Sequence, residues 1–198
     1  MIMVVLVCAA CAVEDRSTKA APEESFAAAP PFAPATQETS VQLPFDNPFP
    51  NRWNASNDGT SYEPCNAFSN YELGAFGIDS TRIEDAAVVD GQGVRGCRWF
   101  MPGKFSMSQL VTNSISLTAY RDGTSDFEWK QDLSVEGRAV GMFDLKFDST
   151  SCSTYVQSFS AGVVTSFVTS SDPESRGAMD PCKLVDDFTR AYIDKIPN

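Results

Sequence analysis

The chain has 198 residues, 42% of them hydrophobic and 21% charged, with 26 acidic residues, 15 basic residues and no histidine. This composition fits one globular domain with a core and a tail. The formal net charge of −11 argues against a nucleic-acid ligand and disfavours direct binding to an anionic lipid surface, since both would repel the chain. The lack of histidine excludes Ser-His-Asp and Cys-His catalysis and nearly all ordinary zinc or copper sites.

The first residues resemble a bacterial lipoprotein signal. Residues 1–7 are apolar and uncharged, and Cys8-Ala9-Ala10-Cys11 follows. Small residues before a cysteine match a lipobox, so we expect cleavage before Cys11 and lipid on Cys11, while bulky Val7 makes Cys8 the poorer acceptor. The segment is too short to span a membrane and lacks a positively charged n-region, so we expect the natural start upstream of Met1. The alternative is a soluble protein with a disordered apolar tip.

Three regions follow from these patterns. Residues 1–10 are the predicted signal segment. Residues 11–43 are rich in alanine and proline and show no apolar period, which predicts a disordered tether. Residues 44–198 form the predicted globular domain. The N-terminal lipid would then hold the domain at the outer face of the cell membrane.

Four cysteines lie in the predicted domain, at Cys65, Cys97, Cys152 and Cys182. In an exported protein an even number predicts two disulfides, and three pairings are open. We favour Cys65–Cys97 and Cys152–Cys182, because each bridge would join a helix start to a nearby strand. Either loop would close about 30 residues, worth about 3–4 kcal/mol. Four free thiols or a metal site are the alternatives, both weakened because no C-x-x-C occurs outside the signal segment.

Two helix starts are visible in the first part of the domain. Glu63-Pro64-Cys65 places an acid and a helix-entry proline before an apolar segment. Ser69 and Glu72 have the spacing of a capping box for a short helix that stops at Gly77.

The middle of the chain predicts strands and one helix. Runs of alternating apolar and polar residues indicate strands at 94–101, 110–120, 140–147, 152–159 and 163–169. Ile115, Leu117 and Ala119 are expected on one face of the second run. Residues 126–135 are a helix candidate, and 171–177 are predicted to be loop.

The last helix is the clearest element. Asp180 is its predicted N-cap and Pro181 its first residue, and Pro197 ends it. An apolar stripe follows at helical spacing through Leu184, Phe188, Ala191 and Tyr192. The order of elements predicts an α+β fold with a mostly antiparallel β-sheet flanked by helices.

Together these features resemble an actinobacterial lipoprotein family catalogued as domain of unknown function 3558. The motifs that carry the resemblance, from about Tyr62 to the C-terminus, are Glu63-Pro64-Cys65, Gly96-Cys97-Arg98-Trp99, Gly137-Arg138-Ala139-Val140, Cys152 and Asp180-Pro181-Cys182. The lipobox and the tether add to it, and Glu63 stands where the family usually has aspartate. The resemblance implies an exported, membrane-tethered protein without an established activity and a PsbP/Mog1-like α/β sandwich.

Three residues are candidates for recognition. Arg98 and Trp99 form a pair of the types that dominate interaction hot spots, although in a strand beside a disulfide Trp99 is expected to pack inward and Arg98 to lie on the surface. Arg138 is a candidate for holding an anion, with a surface arginine after a strand-initiating glycine as the alternative. The sequence predicts no catalytic residue, no metal and no cofactor.

We therefore predict a non-catalytic cell-envelope lipoprotein. It would be a binding or accessory module for an envelope partner, which is a protein complex, a lipid or a glycan. The alternative is a carboxylate-dependent hydrolase of cell-wall glycans, which needs two acids about 5–10 Å apart across a cleft.

Overall fold

A computed structural model describes residues 48–49, 52–87 and 93–198, without the side chain of Arg176. These residues belong to the second of two compact units into which the chain divides, Ser40–Asn198. Cys11, the predicted signal segment and the predicted tether lie outside the described residues.

The framework of the domain is an eight-stranded antiparallel sheet. Its strands are β1 (Ile83–Asp85), β2 (Val94–Met101), β3 (Phe105–Asn113), β4 (Phe127–Trp129), β5 (Leu133–Val135), β6 (Arg138–Leu145), β7 (Ser151–Ser158) and β8 (Ala161–Thr169). They lie in the order β1-β2-β3-β8-β7-β6-β4, and β5 also pairs with β6. The predicted α+β class with a mostly antiparallel sheet is confirmed.

Short helices cover the sheet. They are α1 (Asn70–Ala75), α2 (Leu117–Asp122), α3 (Pro173–Arg176) and α4 (Pro181–Tyr192), with 3-10 turns at Pro64–Asn66 and Ile193–Lys195. The predicted capping box is present, because the Glu72 N–H donates to Ser69 and the Glu72 carboxylate accepts from the Ser69 N–H. The predicted Asp180 cap is present as well, since its carboxylate accepts from the Cys182 N–H at 2.9 Å.

The two faces of the sheet are covered differently. On the first face α4 buries Val185 and Phe188, with the Phe188 ring 5.8 Å from that of Phe167. On the second face α2 lays Tyr120 over the ring of Tyr155 at 4.7 Å. Alternation along each strand therefore supplies a large core under α4 and a smaller aromatic one under α2.

Both favoured disulfides are confirmed. Cys65 pairs with Cys97 and joins the first 3-10 turn to β2, with Cα atoms 5.2 Å apart. Cys152 pairs with Cys182 and joins β7 to the first turn of α4, with Cα atoms 4.9 Å apart. The helix starts at Cys65 and Cys182 are thus each attached covalently to a strand.

The strand predicted at 110–120 is wrong in its second half. Strand β3 ends at Asn113, and Ser116 caps α2 by accepting a hydrogen bond from the Ala119 N–H at 3.0 Å. Serine favours such a cap because its hydroxyl satisfies a free N–H of the first turn. Ile115 is therefore 81% exposed in the loop between β3 and α2 instead of lying on an inner face.

Two other assignments also differ from the prediction. Residues 126–135 form strands β4 and β5 beside β6, not a helix. The aromatic residues Phe127 and Trp129 favour strands, and their spacing of two puts both on the face that α2 covers. The loop predicted at 171–177 contains α3, which Asp172 caps.

A buried arginine attaches the segment before the first 3-10 turn to the sheet. Arg95 in β2 is 0% exposed, and its guanidinium donates to the carbonyls of Asn57, Thr60 and Tyr62 at 2.7–3.1 Å. It also pairs with the buried carboxylate of Glu63 at 3.0 Å. These bonds attach residues 57–63 to strand β2.

Replacing Arg95 by methionine is expected to lower the free energy of unfolding by about 3–5 kcal/mol, because the Glu63 carboxylate stays buried without its partner. Urea unfolding measures the loss. Arg98→Met in the same strand is the matched control, and its exposed ion pair predicts a loss of about 1 kcal/mol or less. Equal losses in the two variants would contradict an anchoring role for Arg95.

Candidate functional site

The predicted recognition pair Arg98-Trp99 points to opposite faces of β2. Trp99 is 1% exposed in the core beneath α4. Arg98 lies on the surface and pairs with Glu84 of β1 at 2.6 Å. The fold therefore does not bring these two side chains together at one surface, and a recognition role for the pair stays a prediction.

Arg138, the third predicted recognition residue, lies at the start of β6 and holds the C-terminal end of the chain. Its Nη1 donates to the carbonyls of Ile193 and Ile196 at 3.0 and 2.5 Å. Its Nη2 donates to the carbonyls of Gln157 and Pro197 at 2.6 and 3.3 Å. All four N–H groups of the two terminal nitrogens thus have a carbonyl acceptor. Burial lowers the pKa of Arg138, and the nearby Glu136 acts in the opposite direction.

A cavity of about 380 Å³, named here the Arg138 cavity, opens beside this guanidinium. Residues from the β3–α2 loop, the starts of α2 and β6, the β7–β8 hairpin and the C-terminus line it, namely Ile115, Ser116, Leu117, Arg138, Ala139, Gln157, Phe159 and Asn198. Its volume falls in the lower part of the range of about 300–1,000 Å³ for small-molecule sites. We take it as the candidate functional site.

Gln157, like Arg138, uses its polar groups within the fold. The Gln157 amide donates to the carbonyls of Ser114 and Phe159 at 2.8 Å and of Ala161 at 3.1 Å. Its carbonyl oxygen accepts from the Tyr155 hydroxyl at 2.6 Å. These bonds fix the loop and the hairpin against each other.

The rim of the cavity is apolar and exposed. Both Ile115, which is 81% exposed, and Phe159, which is 58% exposed, line the cavity. Phe159 occupies the β7–β8 turn with φ +50°, a left-handed conformation that is unusual for a bulky residue. Exposed apolar side chains that line a concave site are typical of surfaces that bind an apolar group.

Sequence reasoning missed both rim residues. Ile115 was assigned to a strand, although Ser116 is a helix-capping residue type that could have marked the end of that strand. Phe159 was placed at the end of a strand, and a hairpin turn with positive φ normally carries glycine, asparagine or aspartate. The aromatic side chain gave no signal of its turn position.

A second cavity of about 390 Å³ lies beside Glu63. It is lined by Ser61, Tyr62, Glu63, Asn66, Ala67 and Lys195. One Glu63 oxygen accepts from the Cys65 N–H at 3.1 Å and the other from Arg95. Burial raises the pKa of Glu63. The Tyr62 hydroxyl donates to Gln109 at 2.7 Å, so the polar groups of this cavity are also used by the fold.

Within the described part of the chain, no cluster of three or more His, Cys, Asp or Glu side chains has the geometry to hold a metal ion. None of the helices in residues 48–49, 52–87 and 93–198 is both long and apolar enough to span a membrane.

The chain belongs to the family described as Protein of unknown function (DUF3558), whose model matches residues 6–195. The match begins well before Tyr62, where the recognised motifs start, and it confirms the predicted resemblance to domain of unknown function 3558. Searches of the curated proteins and of the solved structures found no match. The PsbP/Mog1-like assignment therefore stays a prediction.

Replacing Arg138 by methionine is expected to lower the free energy of unfolding by about 2 kcal/mol, because bonds from a charged donor to the C-terminal carbonyls are lost. Urea unfolding with hydrogen exchange of residues 193–198 measures both the loss and its location. If those amides exchange as slowly as in the wild type, Arg138 does not hold the C-terminal end.

Proposed function

We propose that this protein is a non-catalytic cell-envelope lipoprotein of an actinobacterium, a binding or accessory module for an envelope partner. The partner places an apolar group in the Arg138 cavity, between Ile115 and Phe159. Lipid on Cys11 and a tether over residues 11–43 hold the domain at the outer face of the cell membrane.

One observation carries the binding part of this proposal. The Arg138 cavity combines an apolar, exposed rim with the side chains of Arg138 and Gln157, which are already hydrogen-bonded within the fold. A catalytic site would need an acid, base or nucleophile directed at the substrate. Here Arg138 and Gln157 bond to backbone carbonyls instead, which supports binding over catalysis.

The two disulfides support the exported location. Disulfides persist in oxidising compartments and are rare in the reducing cytosol. Cys65–Cys97 and Cys152–Cys182 both close inside the domain, which leaves Cys11 available for lipid. The Ala/Pro-rich residues between Cys11 and the domain suit a spacer.

Lipidation is tested by mass spectrometry of the intact protein from membranes of an actinobacterial host. The expected product lacks residues 1–10 and carries a diacylglyceryl group on Cys11. The Cys11→Ser variant is expected to be absent from the membrane fraction. Cys8→Ser is the matched control and is expected to behave as wild type. Membrane attachment of Cys11→Ser at the wild-type level would contradict the proposal.

Binding is tested with a photo-crosslinking amino acid in place of Ile115 in the same membranes. We expect one defined adduct, because Ile115 borders the proposed site. The crosslinker in place of Phe147 is the control, since this fully exposed residue lies in the turn after β6, at the opposite end of that strand from Arg138. The same adducts from both positions would contradict a specific site.

The glycan hydrolase is the second candidate. Glu63 is the one acidic side chain among the residues that line the two described cavities, and its raised pKa is the observation in its favour. Both Glu63 oxygens accept hydrogen bonds from structural donors, which supports the binding module instead. The test is turnover of cell-wall glycans by the wild type and by Glu63→Gln. If the wild type turns them over and Glu63→Gln abolishes this without changing the Tm, the hydrolase would become the favoured function.

A further inference from the structure

Phe159 has a strained backbone conformation and an exposed side chain. Its φ of +50° is unfavourable for a bulky residue and persists only when neighbouring groups enforce it. The Ser160 N–H donates to Gly59 at 3.1 Å, the Ser114 N–H donates to Ser160 at 3.2 Å, and Gln157 donates to the Phe159 carbonyl at 2.8 Å. The backbone of the turn is thus fixed, and it presents the ring at the cavity with 58% of the residue exposed. A pre-positioned turn binds at a lower cost in conformational entropy than a mobile one.

The walls of the Arg138 cavity set the chemistry of a ligand. Ile115, Leu117, Ala139 and Phe159 present carbon atoms, which favours a hydrocarbon group. The volume of about 380 Å³ lies near the lower end for small-molecule sites, which suits a single chain better than a lipid with several chains inserted together.

Charge decides between neutral and anionic forms of such a chain. The four terminal N–H groups of Arg138 already bond to carbonyls, and Glu136 lies close enough to act on its charge. The chain as a whole carries a net charge of −11. A carboxylate or phosphate at this position would therefore find the Arg138 terminal donors already occupied and the Arg138 charge partly offset by Glu136, in a chain whose net charge is negative.

We infer that the Arg138 cavity binds the acyl chain of a neutral lipid, with Phe159 and Ile115 as the two sides of its mouth. This inference rests on the proposed binding function and names the ligand class at the same site. The exposed ring of Phe159 contacts the chain where it leaves the cavity, and the uncharged headgroup remains in solvent.

The test compares two ligands with the same chain. The full-length protein with Cys11→Ser is titrated with glycerol monolaurate and with laurate below their micelle concentrations, by calorimetry and by Tm shift. We expect saturable binding of glycerol monolaurate at least tenfold tighter than that of laurate. Absence of saturable monolaurate binding, or equal affinity for both ligands, would overturn the inference.

Matched variants locate the site. Phe159→Asn keeps a residue that tolerates positive φ but removes the ring, so we expect binding at least tenfold weaker with a Tm no lower than that of the parent protein. Phe147→Asn is the control, because Phe147 also has a positive φ (+66°) and is fully exposed, yet it lies in another turn. Ile115→Ser is expected to weaken binding as Phe159→Asn does.

The outcomes separate this inference from the proposed function. Binding that Phe159→Asn and Ile115→Ser leave unchanged, or that Phe147→Asn weakens equally, would place the lipid elsewhere and overturn the inference. A protein adduct from the crosslinker at position 115, without glycerol monolaurate binding, would leave the proposed function standing and remove the lipid. If the protein binds the lipid but is never attached to membranes, the lipid inference would stand and the proposed membrane-anchored function would fall.

Discussion

The fold depends on the guanidinium of Arg95, which is enclosed where β2 meets the segment before the first 3-10 turn. Removing a charged group from water is expensive unless its partners replace the lost hydration. Here three backbone carbonyls and Glu63 do so. Because residues 57–63 are fixed in this way, Cys65 reaches Cys97, two residues along β2 from Arg95 on the same face, and the chain enters α1 in a fixed direction.

Arg138 plays a corresponding part at the C-terminal end. It donates hydrogen bonds to carbonyls that follow α4, and the Cys152–Cys182 disulfide attaches the start of that helix to β7. Arg95, Arg138 and Gln157 therefore bond mainly to backbone groups, and Glu63 bonds to one backbone N–H and to Arg95. What the domain leaves open at the Arg138 cavity is apolar surface, and this distribution of polar groups supports a binding module over an enzyme.

Local signals made the helix starts and the central strands predictable. Ser69 with Glu72 and Asp180 with Pro181 act within one helical turn, so their caps can be read without tertiary contacts. Strands β4 and β5 could not be predicted from local signals, because such short strands form only by pairing with β6. The burial of Arg95 had no local signal, since it requires residues more than 30 positions away to close over the guanidinium. The same holds for the cavity, whose rim combines a loop and a hairpin that are distant in sequence.

The most direct test of the central claim is hydrogen–deuterium exchange of the full, lipidated chain in membranes of its host, compared with the Cys11→Ser chain in detergent-free buffer. If the Arg138 cavity is the binding site, peptides that cover residues 113–117 and 157–161 exchange more slowly in the membranes than in the detergent-free sample. Unchanged exchange in those peptides, with protection only around residues 61–67, would contradict the claim and move the site to the Glu63 cavity.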